Sequence, residues 1–328
     1  MTKPAAGLPL VELHTHLEGS LMPQRLIDLC ERHGRPGLAA RCLTPDGSAY
    51  RQGDFAAFLE LYRDITSVIR TPADFHALAL DLGRQFLDDG VGFAEVSVSV
   101  GVMLKREIAP GPVFAALAEA AAETAETSGV TMRWIPDAVR QWGVDEGWRA
   151  WEAAHAAGRA CGVVGFGLGG DEAHGPAADF ATLFAVVKAE GYGVTIHAGE
   201  VPAMGEAGRE SVRQAVIDCG ARRIGHGLAA AGDPGLLALL ADRGVCVELC
   251  PRSNVATGGI ARLEDHPLRA FLDAGVPCCL NTDDRTLFGL DLQGEYAAAR
   301  ESLGLAGEEA EGMINCALKA RSDLETTD

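Results

Sequence analysis

Along this chain, short apolar runs alternate with longer stretches in which apolar residues recur every three or four positions. The short runs read as strands over Pro9–His14, Gly92–Val100, Thr131–Asp137, Val163–Gly167, Gly193–Ala198, Arg223–His226, Val245–Leu249 and Val276–Thr282. Between them the helical period is plain in Pro112–Thr127, Asp145–Ala157, Phe180–Glu190 and Pro234–Arg243. Eight strand-helix alternations are what a closed parallel barrel requires, so the expected fold class is α/β, a (β/α)8 TIM barrel. A doubly wound open sheet is the alternative, but no Gly-x-Gly-x-x-Gly turn follows an early strand.

The connection from residue 17 to 91 is too long for a simple crossover and reads as a helical insertion. Three helices are expected in it, Pro23–His33, Phe55–Ile69 and Pro72–Asp89, with Thr71-Pro72 marking a start. The segment Phe55-Ala-Ala-Phe-Leu-Glu-Leu-Tyr62 carries an apolar face that either packs on the barrel or covers a pocket. No repeat or linker breaks the chain, so residues 1–328 are expected to form one domain. It closes with a helix over Glu308–Ser322 and a polar tail.

Composition narrows the function. A chain of 328 residues that is 48% hydrophobic has ample material for a core, and its net charge of -18 opposes binding to nucleic acid or anionic membranes. The segment Met1–Gly7 lacks the apolar core of a signal peptide, and no window approaches a membrane span of ~18 apolar residues. The nine cysteines are scattered, as reduced core thiols would be. The expected compartment is the cytoplasm.

Candidate chemistry gathers at strand ends, where barrels of this kind place their active sites. Residues i and i+2 of a strand share a face, so His14 and His16 offer two imidazoles on one wall. Strand five ends in His197-Ala-Gly-Glu200, strand six in Gly225-His-Gly227 and strand eight in Asn281-Thr-Asp-Asp284. His14, His16, His197 and Asp283 make a three-nitrogen, one-oxygen set suited to one Zn2+ per chain. A bridging carboxylated lysine for a second ion is not expected, because Lys3, Lys105, Lys188 and Lys319 all lie away from the end of strand four. His226 could take or orient a water proton, and Glu200 could donate one to a ring nitrogen. Asp284 points away from Asp283 if the strand continues and joins it in the pocket if the chain turns. Each of these three could instead orient a ligand histidine. His33, His76, His155 and His266 read as packed or solvated, while His174 could touch the pocket.

Taken together, Glu12-Leu-His-Thr-His-Leu-Glu-Gly19, His197-Ala-Gly-Glu200, Gly225-His-Gly227, Cys250-Pro-Arg-Ser-Asn254 and Leu280-Asn-Thr-Asp-Asp284 resemble the adenosine and adenine deaminase family of zinc amidohydrolases. The motifs span residues 12 to 284 in the family's order. The resemblance implies a one-zinc barrel in which His14, His16, His197 and Asp283 bind the metal. It implies that Glu200 protonates purine N1, that His226 positions or deprotonates water, that Asp284 bonds N7 and that Gly170 meets N3. His16 and Glu18 would also lie against the substrate, Glu18 near the ribose. The cytidine-type deaminases differ, needing a Pro-Cys-x-x-Cys pair that this chain lacks.

Departures from the family pattern bear on the substrate. Strand two ends in Glu95-Val-Ser-Val-Ser-Val-Gly101, Gly167 stands where the family commonly has Asp, and Arg285 follows the paired aspartates in place of Pro. These changes point to a substituted nucleoside such as aminodeoxyfutalosine, with Arg285 either meeting a substrate carboxylate or lying on the surface. The expected function is hydrolytic deamination of a 6-aminopurine nucleoside to the 6-oxopurine with release of ammonia. Free adenine is the alternative substrate; another amidohydrolase reaction, or a binding protein without turnover, stands behind it.

Overall fold

Eight parallel strands pair in chain order and curl into a barrel: β1 (Leu10–His16), β2 (Val91–Val98), β3 (Thr131–Val139), β4 (Gly165–Gly169), β5 (Gly193–Ala198), β6 (Arg223–His226), β7 (Cys246–Leu249) and β8 (Cys278–Leu280). These come from a computed structural model that describes residues 9–53 and 55–323. The leading segment Met1–Gly7 and the tail beyond 323 lie outside the described residues. All eight expected strands form, and the expected (β/α)8 TIM barrel is the fold.

Closure between β8 and β1 is short and depends on side chains. Thr15 pairs with Asp283, with His16 N–H donating to Asp283 O at 3.1 Å and Asp283 N–H to His14 O at 2.9 Å. Asn281 Oδ1 accepts the N–H groups of Leu13 and His14 at 2.9 and 3.1 Å, and Glu12 accepts both the N–H and the hydroxyl of Thr282. A strand of only three residues supplies few ladder bonds, and these side chains satisfy the backbone groups it leaves.

Among its described residues the insertion holds four α-helices, Pro23–Arg32, Pro36–Cys42, Phe55–Thr66 and Pro72–Asp89, one more than the pattern suggested. The last starts where expected: Thr71 Oγ1 accepts from Asp74 N–H, Asp74 accepts from Thr71 N–H, and Pro72 occupies the first turn. A further short helix, Val100–Lys105, begins where strand two was expected to end. The helix Gly307–Ala320 packs across β1, β7 and β8. Its Ala317 joins Val11, Leu13, Phe93, Cys246 and Cys279 in a small apolar cluster beside the main core. No cysteine is disulfide-bonded, and among the described residues no helix is long and apolar enough to cross a membrane.

Below the strand ends, the barrel interior is charged. Arg223 Nη1 lies 2.6 Å from Glu95 Oε2, its Nε 2.6 Å from Glu248 Oε1, and all three side chains are buried. Burying such a group is tolerated only with its partners in place; removing one partner of a buried pair typically costs ~3–5 kcal/mol. This network reaches the functional end through Glu248.

Candidate active site

Four strand ends bring their side chains to one point. The i, i+2 spacing of β1 turns His14 and His16 the same way, and their rings meet His197 at centroid distances of 4.5 and 5.3 Å. His226 sits 5.0 Å from the His14 ring. Two of the contributing residues take left-handed backbone conformations, His226 at φ 65° and Asp283 at φ 59°. Such conformations cost of order ~1–3 kcal/mol for non-glycine residues and persist where the surroundings impose them. At Asp283 the turn settles what the strand pattern left open, because Asp283 and Asp284 both line the cavity. Gly225 is required by contact, since a Cβ there would stand 2.6 Å from Cε1 of His14.

Each of these groups has a holder. Glu248 Oε2 lies 2.8 Å from His14 Nδ1 and 3.0 Å from Thr195 Oγ1. Ser253 Oγ donates to Asp283 Oδ2 at 2.5 Å. Asn254 Nδ2 donates to His226 Nδ1 at 3.0 Å, so Nε2 is the nitrogen turned toward Glu200, 3.9 Å from its Oε1. Glu172 accepts the N–H groups of Gly199 and Glu200, fixing the turn after β5. None of these holders was assigned a role from sequence. Ser253 and Asn254 belong to the motif Cys250-Pro-Arg-Ser-Asn254, and Glu248 is a charge within the apolar run Val245-Cys-Val-Glu-Leu249, a pattern that itself demands a buried partner.

A cavity of about 600 Å³ opens on this cluster, lined by His16, His197, Glu200, His226, Asp283 and Asp284, and by Gly170 after β4. The helix Phe55–Thr66 contributes Phe58, Leu59, Tyr62, Arg63 and Thr66 to the walls, and Phe58 stacks on Phe288 at 5.2 Å. That helix therefore borders the pocket as well as packing on the barrel. Glu18 is buried beside the cavity and accepts the Ser99 N–H at 3.1 Å; it is not among the lining residues. Asp137, near the end of β3, does line the pocket, and its buried Oδ1 has no hydrogen-bond partner among the described residues. Nothing in the local pattern singled it out.

Two expectations are corrected. Arg285 neither reaches the pocket nor lies on the surface: it is buried, ion-paired with Asp89, and its guanidinium packs 5.0 Å above the Phe86 ring. The chain turn that brings Asp284 inward points the next side chain back into the protein. His174 bonds Asp171 at 2.8 Å on the exposed surface, away from the cavity lining.

Burial and neighbouring charge separate the titrating groups. Burial, with the nearby Asp283 and Glu172 carboxylates, raises Glu200 to about 7. Burial and then Asp283 raise Asp284 to about 8. His226 is pushed down to about 3 by burial, with the His14 and His16 imidazoles adding to the effect and Asp283 opposing it. A carboxylic acid that titrates near neutrality is suited to give up a proton there, and beside it a neutral imidazole is available to hold a polar group by hydrogen bonding.

The imidazoles and Asp283 fit a metal ion. Ligands ~2.0–2.1 Å from a tetrahedral zinc lie about 3.3 Å from one another. Here His16 Nε2 is 3.2 Å from Asp283 Oδ1 and 3.3 Å from His197 Nε2, and His14 Nε2 is 3.6 Å from Asp283 Oδ1. The donor atoms of His14, His197, His226 and Asp283 all lie within 4.8 Å of one another. Among the described residues His14 Nε2 is buried without a hydrogen-bond partner, which is costly unless a ligand takes its lone pair.

Comparison with known proteins places the chain in a family. A family model described as adenosine deaminase matches residues 9–323. An aminodeoxyfutalosine deaminase of Streptomyces coelicolor is 36% identical over 306 residues, covering 92% of this chain and 76% of that protein. The crystal structure of an adenine deaminase from Arthrobacter aurescens superposes with a TM-score of 0.84 at 25% identity, covering 96% of this chain and 94% of that one. A Burkhoderia ambifaria amidohydrolase crystallised with bound Zn has the same fold, with a TM-score of 0.82 at 23% identity over 98% of this chain and 87% of that one. By its whole-length match and the relatives that share it, this chain belongs to the adenosine deaminase family of hydrolytic deaminases.

Proposed function

We propose that the protein deaminates a 6-aminopurine nucleoside hydrolytically, with His14, His16, His197 and Asp283 holding one zinc ion. The observation that carries this reading is the placement of Glu200, His226 and Asp284 around a single cavity beside those four donors. Zinc held there supplies the Lewis acidity that makes water nucleophilic at neutral pH.

The chain's own groups do the rest. Neutral His226, its Nδ1 taken by the Asn254 amide, carries its proton on Nε2 and orients the water on the face where purine C6 would lie. Glu200, raised to about 7, delivers a proton to N1, so that the ring can accept negative charge as C6 becomes tetrahedral. Asp284, protonated near neutrality, donates a hydrogen bond to N7, and Gly170 approaches N3. Collapse then expels ammonia and leaves the 6-oxopurine, the water having given its oxygen to C6, one proton to the departing amine and one to Glu200 in place of that passed to N1. Phe58 and Tyr62 wall the cavity from solvent above.

A cavity of about 600 Å³ is of the size that takes drug-sized ligands, which favours a nucleoside over a free base. Among nucleosides we favour the substituted type for which the Streptomyces relative is named, aminodeoxyfutalosine. Nine free cysteines accord with work in the reducing cytoplasm. The test is ammonia release and the ultraviolet change as amine becomes carbonyl, measured for adenine, adenosine and aminodeoxyfutalosine. Faster turnover of adenine than of both nucleosides would transfer the assignment to the free base.

A further inference from the structure

Near the starts of β7 and β8, away from the residues that line the cavity, three cysteine sulfurs from separate elements meet: Cys246 of β7, Cys279 of β8 and Cys316 of the helix Gly307–Ala320. Cys246 Sγ lies 3.5 Å from Cys316 Sγ and 3.8 Å from Cys279 Sγ. Cys246 and Cys279 are buried, whereas Cys316 is half-buried and stands toward solvent. Cys246 and Cys316 are 70 positions apart, so no local spacing announces the contact.

The two nearest thiols differ in kind. The Cys246 S–H, the Lys319 ammonium and the Cys278 amide hold the Cys316 thiol below its ordinary value, against the opposing effect of burial. Contacts with Cys279 and Cys316, and then burial, push the Cys246 thiol well up. A thiolate is the reactive form of cysteine, and it is favoured where a cation and hydrogen-bond donors surround a partly exposed sulfur. Cys316 meets that description, with a protonated thiol in reach behind it. A competing account is plain packing, since thiols also behave as small apolar groups. Cys316 would then react no faster than Cys161, the other half-buried cysteine, which has no sulfur contact among the described residues.

We propose that Cys316 and Cys246 form a peroxide-responsive pair, in which Cys316 is oxidised first and Cys246 then closes a disulfide onto it. The Cys316 thiolate attacks one oxygen of a hydroperoxide; the O–O bond breaks, the sulfur becomes a sulfenic acid, and the other oxygen leaves with a proton from solvent. The Cys246 sulfur then attacks the Cys316 sulfur; the S–S bond forms, the S–O bond breaks, and the hydroxyl departs as water with the Cys246 proton. With hydrogen peroxide, two thiols and one oxidant give one disulfide and two waters. The bond fastens the last helix to the strand that carries Glu248. The end of that helix already touches the same buried ion network, through Ser322 N–H on Glu95 and Arg223 Nη1 on Ala320 O at 3.3 Å. A thiol reductant reverses the bond, and the site stands whatever the substrate.

The experiment titrates the fully reduced, full-length protein with hydrogen peroxide, blocks the remaining thiols with N-ethylmaleimide and maps the peptides without reductant. The first product is expected to be a linked pair carrying Cys246 and Cys316, with the loss of two hydrogens, and dithiothreitol should restore both thiols. Tm of the linked protein should rise by about 5 °C, as closing a loop of 70 positions in a chain of this size allows. Cys316→Ala should abolish both the link and the Tm gain. Cys246→Ala should leave Cys316 as a sulfenic acid that dimedone captures. The wild-type peptide map keeps the test decisive even where a substitution disturbs folding. Oxidation of Cys161 ahead of Cys316 would overturn the proposal, as would a first link between Cys246 and Cys279. So would passage of Cys316 to a sulfinic acid with no link formed.

Discussion

Glu248 Oε2 stands 2.8 Å from His14 Nδ1, and this contact makes Nε2 the nitrogen that faces the other donors. The same carboxylate is pinned from below by Arg223, so the orientation of a candidate metal ligand is fixed by an ion network in the barrel floor. Glu248→Gln keeps the shape and loses the charge. Metal affinity should fall by about 10–100-fold, as for other groups that orient a ligating histidine. Metal content after dialysis against a competing chelator measures it, and retention equal to wild type would refute the role.

Glu200 lies outside the tight donor cluster and is raised to about 7. Glu200→Gln removes the transferable proton and little else. Turnover should drop by about 10²–10⁴-fold with zinc content and thermal stability retained. A variant as fast as wild type would end the assignment of Glu200 as the acid.

Gly19 touches Asp284 so closely that a Cβ there would come within 1.8 Å of its Oδ1. Gly19→Ala must therefore displace the Asp284 carboxyl from its position in the pocket. A shift of about 1 Å at a reacting centre can cost ~10²-fold in rate, and a fall of that size in kcat/KM is expected with metal content unchanged. Unaltered kinetics would show that Asp284 does not touch the substrate.

Glu295 is buried beside Arg252 and raised to about 8 by burial, against an ordinary value of 4.5. Between those two values the folded protein holds a proton that the unfolded chain has released. Stability should therefore decline as pH climbs from about 4.5 through 8. Glu12, raised to about 7 by burial, acts in the same direction. Glu295→Gln should flatten this loss, so that the Tm difference between pH 5 and pH 8, read by calorimetry, becomes smaller than in wild type.

The sequence disclosed whatever obeys a local period. The two-residue repeat of β1 sets His14 and His16 on one wall, and their positions at strand ends mark His197, His226 and Asp283, which the fold brings beside them. What it could not show are contacts made across long separations. Arg285 and Asp89 pair over 196 positions, and no spacing along the chain announces that the side chain after Asp284 turns inward. The helix Pro36–Cys42 escaped because seven residues with a glycine near the start give too short a period to recognise. Glu248 was legible in principle, as a lone charge in an apolar strand, but its partner His14 is 234 residues away.

Asp283 belongs both to the proposed reaction centre and to the seam where the last strand meets the first, and Thr15 Oγ1 bonds its carbonyl across 268 residues. A nascent polypeptide cannot assemble the catalytic apparatus until nearly its entire length has left the ribosome. Fragments cut short before β8 should be inert, so the chemistry is withheld until the ring of strands has been fastened.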